Sequence, residues 1–486
     1  MGLQTLLTAA FAASAAAETI HGVVVFTRHG DRTTRMFPGY HLTNLGAQQA
    51  YNSGQFYRER YVATGSESQI AGIAPDEVDS RQVWASAPNQ GLLFQTANNF
   101  LQGLYPPLAD LDESLAAEAL TNGSDYTGPI DGYQFILIQG QPATSQDAIW
   151  IKGDDNCPAH IASQKSYLNT SEYQAVYDET DEFYSRFVPL LGPILGDDGV
   201  NYENAYEIFD LMNVASIHNQ SIADEIDPSD LDQLRYLADQ WEYNTNFNAS
   251  EPERMIGAKT LIGGILRQMN TTVAARGRSN KFQLFSGSYD TFVSFFGLTN
   301  LTSADPNFYG IPDYASTIAF EMFTEGGDAE SPAQFPDEDA VNDTLQVRFR
   351  FRNGTDGAAP FDAYPLFGGQ ELALPYGQFR DRMKAVGITS AGQWCTTCGS
   401  LQDFCVAANQ TYEGAESSSS SASGGSSKGL SNAAAGGIGA GVTLAVVAIV
   451  GVLAYLVVRR RRSGSGAATP NFSVPSEKRS DSGSSV

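Results

Sequence analysis

The chain has 486 residues, with 29 basic against 55 acidic side chains, and its formal charge is −26. This acidity excludes a broad nucleic-acid-binding surface, because phosphates must be neutralised by clustered Lys and Arg. Hydrophobic residues make up 42% of the chain, which excludes disorder throughout and allows a sizeable core. Four Cys are too few for a disulfide scaffold in a chain of this length.

The N-terminus has the features of a secretory signal peptide at residues 1–17. The segment is apolar and ends in Ala15-Ala16-Ala17, which fits the small-residue cleavage pattern. Its first residues lack Lys and Arg, so an N-terminal helix is the alternative interpretation. Cleavage there would leave a folded ectodomain at residues 18–410.

Strands and helices alternate through this predicted ectodomain. In chain order we predict strands at 21–27, 82–87 and 134–138, with helices at 42–61 and 92–104 between them. Thr43 is expected to be the N-cap of the first of these helices. Mainly helical patterns at 171–276 are followed by a strand at 281–286, a helix from Asp290 and a half-exposed strand at 345–351. This order predicts an α/β fold with a central, largely parallel sheet flanked by helices, and an inserted α-helical cap at roughly 108–280.

The C-terminal part predicts a single transmembrane helix. A Ser/Gly-rich stalk at 411–432 precedes an uncharged apolar stretch at 433–458, which is long enough to cross a bilayer. Four arginines follow at 459–462, and under the positive-inside rule they keep the tail 459–486 cytoplasmic. The chain is therefore expected to be a type I single-pass protein of the plasma membrane or of another secretory-pathway membrane. A glycolipid-anchor signal is the alternative, but such signals end with their apolar tail.

Sequons for N-glycosylation support this orientation. Asparagines in the N-x-Ser/Thr pattern lie between the predicted signal peptide and the membrane span, at Asn122, Asn169, Asn219, Asn248, Asn270, Asn300, Asn342, Asn353 and Asn409. Asn471 also matches the pattern, but the predicted topology places it in the cytosol. This distribution is typical of a glycosylated ectodomain.

All the cysteines, Cys157, Cys395, Cys398 and Cys405, lie in the predicted ectodomain and hence in an oxidising compartment. We expect two structural disulfides, for which three connectivities are possible. The Cys395-x-x-Cys398 spacing also occurs in zinc and redox sites, but no His follows His218 to complete a His-containing zinc set.

The segment Arg28-His29-Gly30-Asp31-Arg32-Thr33 directly follows the first predicted strand. Ligands bind at the carboxyl ends of strands in open α/β sheets. Arginine forks bind phosphate oxygens, and an imidazole held beside them can attack phosphorus to form a covalent intermediate. A surface turn with ordinary charges is the alternative. The segment therefore predicts phosphate chemistry at His29, with Arg28 and Arg32 neutralising the transferred group.

The same segment is similar to the signature of the histidine acid phosphatases, a branch of the histidine phosphatase superfamily with a phosphoglycerate mutase-like fold. The Leu42-Thr43-x-x-Gly46 pattern resembles the first helix of that family, and residues 312–323 (PDYASTIAFEMF) resemble a late strand ending in Glu. The resemblance covers roughly residues 19–408 and identifies the chain as a divergent, membrane-anchored member. It implies that His29 is the phosphorylated nucleophile and that Arg28 and Arg32 bind the phosphoryl group.

Two departures from the family pattern stand out. The family usually has a third phosphate-binding Arg after its second strand, whereas residues 85–91 read ASAPNQG. The family also has a His-Asp pair after a later strand, and here Asp290 matches the acid while Tyr289 replaces the phosphate-binding His. Losing one preorganised donor typically costs about 10²–10³ in rate, so the expected activity is weak even if Tyr289 donates a hydrogen bond to the phosphate.

Two functions follow from these residues. The first is an extracellular acid phosphatase that hydrolyses small phosphomonoesters without a metal or cofactor, since the acidic ectodomain disfavours a polyanion such as inositol hexaphosphate. The alternative is a catalytically impaired pseudophosphatase that acts as a cell-surface binding or sensing glycoprotein. A purely structural glycoprotein would leave the intact Arg28–Arg32 cluster unexplained. The sequence leaves the physiological substrate and the oligomeric state open.

Overall fold

The computed structural model describes residues 17–327, 331–357 and 359–407. Almost all of the predicted signal peptide, and the whole stalk, membrane span and cytoplasmic tail, lie outside these ranges. Among the described helices, none is both long and apolar enough to cross a membrane. The span at 433–458 therefore stays a prediction.

Strands and helices alternate at both ends of the described chain, and helices dominate its middle. The strands are β1 (Glu18–Arg28), β2 (Val83–Pro88), β3 (Ala117–Ala119), β4 (Asp125–Thr127), β5 (Ile138–Gln141), β6 (Phe282–Gly287), β7 (Thr317–Glu325), β8 (Gln346–Arg352), β9 (Phe361–Ala363) and β10 (Ala373–Pro375). The helices are α1 (Asn44–Tyr61), α2 (Gly91–Leu104), α3 (Leu108–Leu111), α4 (Glu113–Ala116), α5 (Pro129–Gly132), α6 (Pro158–Tyr167), α7 (Ser171–Ser185), α8 (Val188–Leu195), α9 (Ala205–His218), α10 (Gln220–Ala223), α11 (Pro228–Asn246), α12 (Ile256–Ala274), α13 (Tyr289–Leu298), α14 (Val341–Thr344), α15 (Tyr376–Val386) and α16 (Ala391–Cys398).

The main sheet has the strand order β10-β8-β7-β1-β6-β2-β5, with β9 paired to β8. Strands β1, β6, β2 and β5 run parallel, and Arg28 at the end of β1 pairs with Gly287 at the end of β6. Because the carboxyl ends of parallel strands meet at one edge of a sheet, the segments that leave β1, β6 and β2 lie side by side. This edge carries the candidate site.

The other half of the sheet is antiparallel, so the sheet is mixed and the prediction of a largely parallel sheet is wrong for this half. Strand β7 is antiparallel to both β1 and β8, and β8 is antiparallel to β9 and β10. A parallel neighbour needs a long crossover, usually a helix. The described residues between β7 and β8 contain only the four-residue helix α14. The alternating burial of β8 confirms the half-exposed strand expected at 345–351 and is typical of antiparallel sheets.

The strand expected at 134–138 is displaced along the chain, since β5 spans Ile138–Gln141. Gln134 is buried, and its side-chain oxygen accepts a hydrogen bond from the Val78 amide at 2.8 Å. Its side-chain nitrogen donates to the Pro106 carbonyl at 2.8 Å. These bonds hold the preceding segment against loops instead of against β2, so strand pairing begins later.

Strand β1 is buried on both faces, as its β-branched run predicts. Successive residues point to opposite sides, so Val23 and Val25 join a core cluster with residues of α1 and α2. Val24 and Phe26 join a second cluster with residues of α12 and α13. Helix α12 and strand β5 therefore belong to the core of the α/β domain, although both lie inside the range 108–280 that was predicted for the cap.

The cap is built from helices α6 to α11 and has its own tyrosine-rich core. Tyr167, Tyr184, Tyr202 and Tyr206 belong to one buried cluster. Tyr289, the first residue of α13, belongs to the same cluster. The cap therefore packs directly on the start of α13, next to the carboxyl edge of β1.

Two disulfides hold the described cysteines, as expected, and they pair Cys157 with Cys398 and Cys395 with Cys405. The first bond links residues 241 positions apart and joins the start of the cap to α16. Because Cys395 and Cys398 belong to different disulfides, the zinc and redox interpretations of their spacing do not apply in this state.

The described sequon asparagines are all accessible to some degree. Asn248 and Asn342 are half-buried, and the others in the described ranges are exposed. Asn409 lies outside those ranges. Their positions are compatible with glycosylation, which stays a prediction.

Candidate active site

The segment that follows β1 is buried and tightly held. Its amide at His29 donates to the Gly287 carbonyl at 3.3 Å, and the His29 carbonyl accepts from the Ala315 amide at 3.0 Å. The segment is therefore fixed between the end of β6 and the residues that enter β7. Its ionisable side chains each expose 5% or less of their surface: Arg28, His29, Asp31 and Arg32.

Gly30 permits a close backbone contact with the first turn of α1. A Cβ atom at Gly30 would lie 2.1 Å from the Gly46 carbonyl oxygen, and one at Gly46 would lie 1.9 Å from the Asp31 carbonyl oxygen. Thr43 caps α1, as expected, by accepting a hydrogen bond from the Gly46 amide at 3.0 Å. The Asp31 amide donates to the Gln49 side chain at 2.8 Å. The two glycines thus let α1 hold the loop that carries His29.

His29 has the tautomer and the charge that a nucleophile needs. Its Nδ1 lies 2.8 Å from the Gly30 carbonyl, which can only accept, so Nδ1 carries the proton and Nε2 keeps its lone pair. In the described part of the chain, Nε2 has no hydrogen-bond partner. Burial, together with the charges of Arg28 and Arg32, holds the pKa of His29 well below its ordinary value. The imidazole therefore stays neutral in acidic solution.

Arg28 keeps guanidinium donors available for an anion. Its Nη1 donates to the Pro312 carbonyl, and its guanidinium carbon lies 5.1 Å from the Tyr289 ring centre and 4.5 Å from that of Tyr314. Its Nε is buried and has no partner among the described residues. An unpaired buried donor is costly unless a ligand satisfies it. Arg28 therefore fits an anion-binding role.

Arg32, by contrast, already has a carboxylate partner from the cap. Its Nη1 lies 3.1 Å from Oδ1 of Asp210, and its Nη2 donates to the Tyr206 hydroxyl at 3.1 Å. Both members of this ion pair are buried. Arg35, three residues further on, pairs with Glu207 at a more exposed position. The positive charge that the motif would offer to a phosphate is thus largely neutralised on this side.

Tyr289 lies in the site, but its hydroxyl has another partner. The hydroxyl donates to Oε1 of Glu242 on α11 at 2.9 Å, and the ring stacks on Tyr206 with 4.7 Å between centres. Burial raises the pKa of Glu242 to about 7 despite the opposing charge of Arg35. The phosphate-binding role expected for Tyr289 would require this hydrogen bond to break.

Asp290 follows Tyr289 in the first turn of α13. It accepts a hydrogen bond from a lysine that sequence reasoning missed. Its Oδ2 accepts from Nζ of Lys152 at 2.9 Å, and its Oδ1 accepts from the Thr291 amide at 3.0 Å. Lys152 also donates to Oδ2 of Asp154 at 3.2 Å. Burial alone would raise the pKa of Asp290, but Lys152 and these hydrogen bonds lower it to about 2. Asp290 is therefore ionised in this arrangement.

The end of β2 lacks the basic residue that the family pattern places there. Asn89 and Gln90 line a cavity of about 30 Å³ together with Lys152 and Asp155. Lys152, which lies in the segment that precedes α6, thus supplies a positive charge near the end of β2. In the described ranges, no group of three or more His, Cys, Asp and Glu side chains could hold a metal ion.

His218 is a further residue without a predicted role that contacts the motif. Its Nε2 lies 2.7 Å from Oδ2 of Asp31, which also accepts from the Thr43 hydroxyl. His218 ends α9, so the cap helps to orient the residue next to Gly30. No local sequence signal marks these residues, because each reaches the site through the folding of the cap or of the segment that leads into it: His218, Lys152, Asp154, Asp210 and Glu242.

Two adjoining cavities extend away from Arg28. One, of about 230 Å³, is lined by Arg28, Tyr206, Asp210 and Tyr314 among others. The second, of about 1210 Å³, shares Arg235, Ile311, Asn353 and Asp356 with the first. Among the residues of the 28–33 segment, Arg28 alone lines the first cavity, and His29 lines neither.

The fold is that of an α/β protein with a mixed sheet and a helical cap. At the end of β1 it holds a histidine next to Arg28, whose Nε has no partner among the described residues, and this is a site of the phosphoryl-transfer type. Residues 38–350 match the histidine phosphatase superfamily (branch 2), and the chain belongs to that superfamily. The matched range begins after the 28–33 segment and includes Tyr289 and Asp290.

Similar proteins agree with this assignment. Prostatic acid phosphatase of Homo sapiens is 24% identical over 403 residues, which are 79% of this chain and 89% of that protein. Prostatic acid phosphatase of Bos taurus is 24% identical over 330 residues, which are 64% and 76% of the two chains. The structure of the Hafnia alvei phytase in complex with tartrate is 12% identical, with a TM-score of 0.50, and covers 78% of this chain and 99% of that one. This last likeness shows the shared fold.

Proposed function

We propose that the chain hydrolyses small phosphomonoesters slowly, through a phosphohistidine formed at Nε2 of His29. The observation that carries the proposal is the His29 side chain itself: neutral, fixed by the Gly30 carbonyl and adjacent to the unpaired Nε of Arg28. Membership in the histidine phosphatase superfamily and the acid phosphatase relatives support it.

The reaction has two balanced steps. In the first, the Nε2 lone pair attacks phosphorus, the P–O bond to the alcohol breaks, and the leaving oxygen takes a proton delivered at Asp290. Arg28 neutralises charge on the phosphoryl oxygens, with a smaller contribution from Arg32, whose charge Asp210 already balances in part. In the second, water attacks phosphorus, the P–N bond breaks, and the carboxylate takes the proton from water. Inorganic phosphate and neutral His29 result.

The charges around His29 support a slow rate and a small substrate. Asp210 and Glu207 neutralise Arg32 and Arg35, and the β2 end supplies no arginine. A substrate with several phosphates would meet these carboxylates and find few free cations to balance it. A monoester with a single phosphate needs only the donors next to His29.

A binding or sensing role without turnover is the second candidate, and two contacts of Tyr289 favour it. The Tyr289 hydroxyl donates to Glu242, and the Tyr289 ring stacks on Tyr206, so the position of the family's phosphate-binding His is occupied by a residue with other contacts. In this case the site would bind a phosphorylated ligand at Arg28 and release it unchanged.

Trapping the phosphoenzyme tests the proposed function. The full chain is mixed with a ³²P-labelled phosphomonoester and quenched in alkali, in which phosphohistidine persists while acyl phosphates are lost. We expect label on a single peptide that contains His29, and release of the label on acidification. Tight binding of the ester with neither label nor hydrolysis above the buffer blank would favour the binding role instead.

The replacement Tyr289→His is expected to raise kcat/KM by about tenfold or more, since it restores a cationic donor next to the transferred phosphate. Steady-state hydrolysis of p-nitrophenyl phosphate measures the change. The matched control is Tyr289→Phe, which also frees Glu242 but adds no donor. Equal rates in the two variants would show that a missing donor at this position does not limit the reaction.

A further inference from the structure

Lys152 lies between two carboxylates at the start of α13. Its Nζ is 2.9 Å from Oδ2 of Asp290 and 3.2 Å from Oδ2 of Asp154, while Asp155 is further away, at 4.0 Å. Lys152 and Asp154 are largely buried, with 12% and 15% of their side chains exposed. One ammonium cannot balance two buried carboxylates, so such a cluster retains a proton.

The hydrogen bonds show which carboxyl group holds that proton. Asp290 accepts from both Lys152 and the Thr291 amide, so both of its oxygens are satisfied as a carboxylate. Asp154 accepts from Lys152 at Oδ2, and its buried Oδ1 accepts from no N–H or O–H donor in the described part of the chain. The side chains of Asp154 and Asp290 are hydrogen-bonded to each other, which two carboxyl groups can be only if one of them carries a proton. Burial raises the pKa of Asp154 to about 7, in agreement with this distribution of bonds. The protonated group is therefore Asp154.

We propose that Asp154 and Asp290, bridged by Lys152, form a carboxyl pair that shares one proton and delivers it to the leaving oxygen. The inference rests on the proposed function and assigns its proton source. Asp290 is the member that reaches substrate, since 22% of its side chain is exposed. Asp154 is a positioning residue: as the P–O bond breaks, Asp290 gives the shared proton to the leaving oxygen and draws it from Asp154 through the hydrogen bond between their side chains. The pair recovers the proton from the water that cleaves the P–N bond.

Several other charged groups surround the pair and contribute to its titration. Asp155 lies next to Lys152, and His160 on α6 interacts electrostatically with both Lys152 and Asp290. Glu242 on α11 and His29 also interact with Asp290. Burial lowers the pKa of His29 and of His160 below its ordinary value, which disfavours a positive charge on either ring beside the cluster.

The test compares two substrates that differ in their need for a proton. An alkyl phosphate such as glycerol 2-phosphate releases a poor leaving group that must be protonated, whereas p-nitrophenyl phosphate releases a stable phenolate. In the full chain, Asp154→Asn is expected to lower kcat/KM for the alkyl ester by about 10²-fold and to leave p-nitrophenyl phosphate hydrolysis close to wild type. As a control, Asp155→Asn removes a carboxylate that lies 4.0 Å from Lys152, and any change in rate that it causes should be similar for the two substrates.

The pH profile gives an independent readout. The acid must be protonated, so the wild-type rate on the alkyl ester should fall as pH rises through the pKa of the pair. Lys152→Met removes the cation that favours the ionised form, and the alkaline limb should move to higher pH. In Asp154→Asn, Asp290 keeps its contact with Lys152 but loses the neighbouring carboxyl group. Because this favours the ionised form of Asp290, the alkaline limb should move to lower pH.

Different failures lead to different conclusions. An equal loss on both substrates in Asp154→Asn would mean a structural role and overturn this inference, while phosphoenzyme formation would still support the proposed function. A wild type without turnover would overturn the proposed function. The proton can then be tested directly, because the infrared carbonyl stretch of a protonated carboxyl should be present in wild type at mildly acidic pH and weaker in Asp154→Asn. An unchanged spectrum would overturn the assignment of the proton.

Discussion

Replacing His29 by alanine is expected to lower phosphomonoester hydrolysis by the full chain to the rate of the buffer blank. The variant loses the Nε2 lone pair that attacks phosphorus, and removal of a nucleophile typically costs more than about 10³-fold. Its side chain is buried, and the Gly30 carbonyl would lose its imidazole donor. Release of p-nitrophenol in acidic buffer measures the rate, and thermal unfolding checks that the variant is folded.

His41→Ala is the matched control for this experiment. His41 lies on an exposed loop after the motif, and its ring contacts the Gly39 carbonyl of the same loop at 3.0 Å. It should keep wild-type activity. Wild-type activity in His29→Ala would contradict the nucleophile assigned here, and loss of activity in both variants would point to a damaged fold.

Replacing Glu321 by glutamine is expected to lower the free energy of unfolding by about 3–5 kcal/mol, because it leaves a cluster of partly buried arginines without their anion. Glu321 is fully buried in the middle of β7. Its Oε2 accepts from Arg348 at 2.6 Å and Arg350 at 2.8 Å, and its Oε1 accepts from Arg60 at 3.2 Å. Urea denaturation at neutral pH measures the change.

The pH dependence of stability provides the signature of this carboxylate. Burial would raise its pKa, but the three arginines and the Tyr61 hydroxyl lower it to about 2, below its ordinary value of 4.5. Its contribution is therefore complete above about pH 4.5 and is lost as the pH falls towards 2. Glu321→Gln should flatten this dependence, whereas Glu325→Gln, at the exposed end of the same strand, should not. An unchanged slope in Glu321→Gln would show that other groups cause the acid sensitivity.

Much of the candidate site at the carboxyl edge of the sheet could be predicted, because its sequence signals are local. A β-branched run followed by the Arg28–Thr33 segment placed His29 at the end of a buried strand, and the structure confirms this. Thr43 was identified as the cap of α1, and the helix at 92–104 and the strand at 281–286 agree closely with α2 and β6. These features depend on residues within a few positions of each other, so periodicity and capping patterns report them directly.

Errors arose where pairing partners are distant in the sequence. The direction of β7 relative to β1 depends on how the chain crosses the sheet, and the alternation of strands with helices did not reveal it. The role expected for Tyr289, which follows from its alignment with a family histidine, stays a prediction. The hydrogen bond from its hydroxyl to Glu242 is a tertiary contact that a sequence comparison of residues 286–291 alone does not show.

The sequence by itself determined the position of the proposed nucleophile and of the first arginine, since both follow from the order of residues 28–30 after a buried strand. The charge state of the site depends on tertiary contacts. Arg32 meets Asp210 across 178 positions, and Asp290 meets Lys152 across 138. Coulomb energies and desolvation depend on distances of a few ångströms in space, so the packing of the cap decides which cations stay free and which carboxyl keeps a proton.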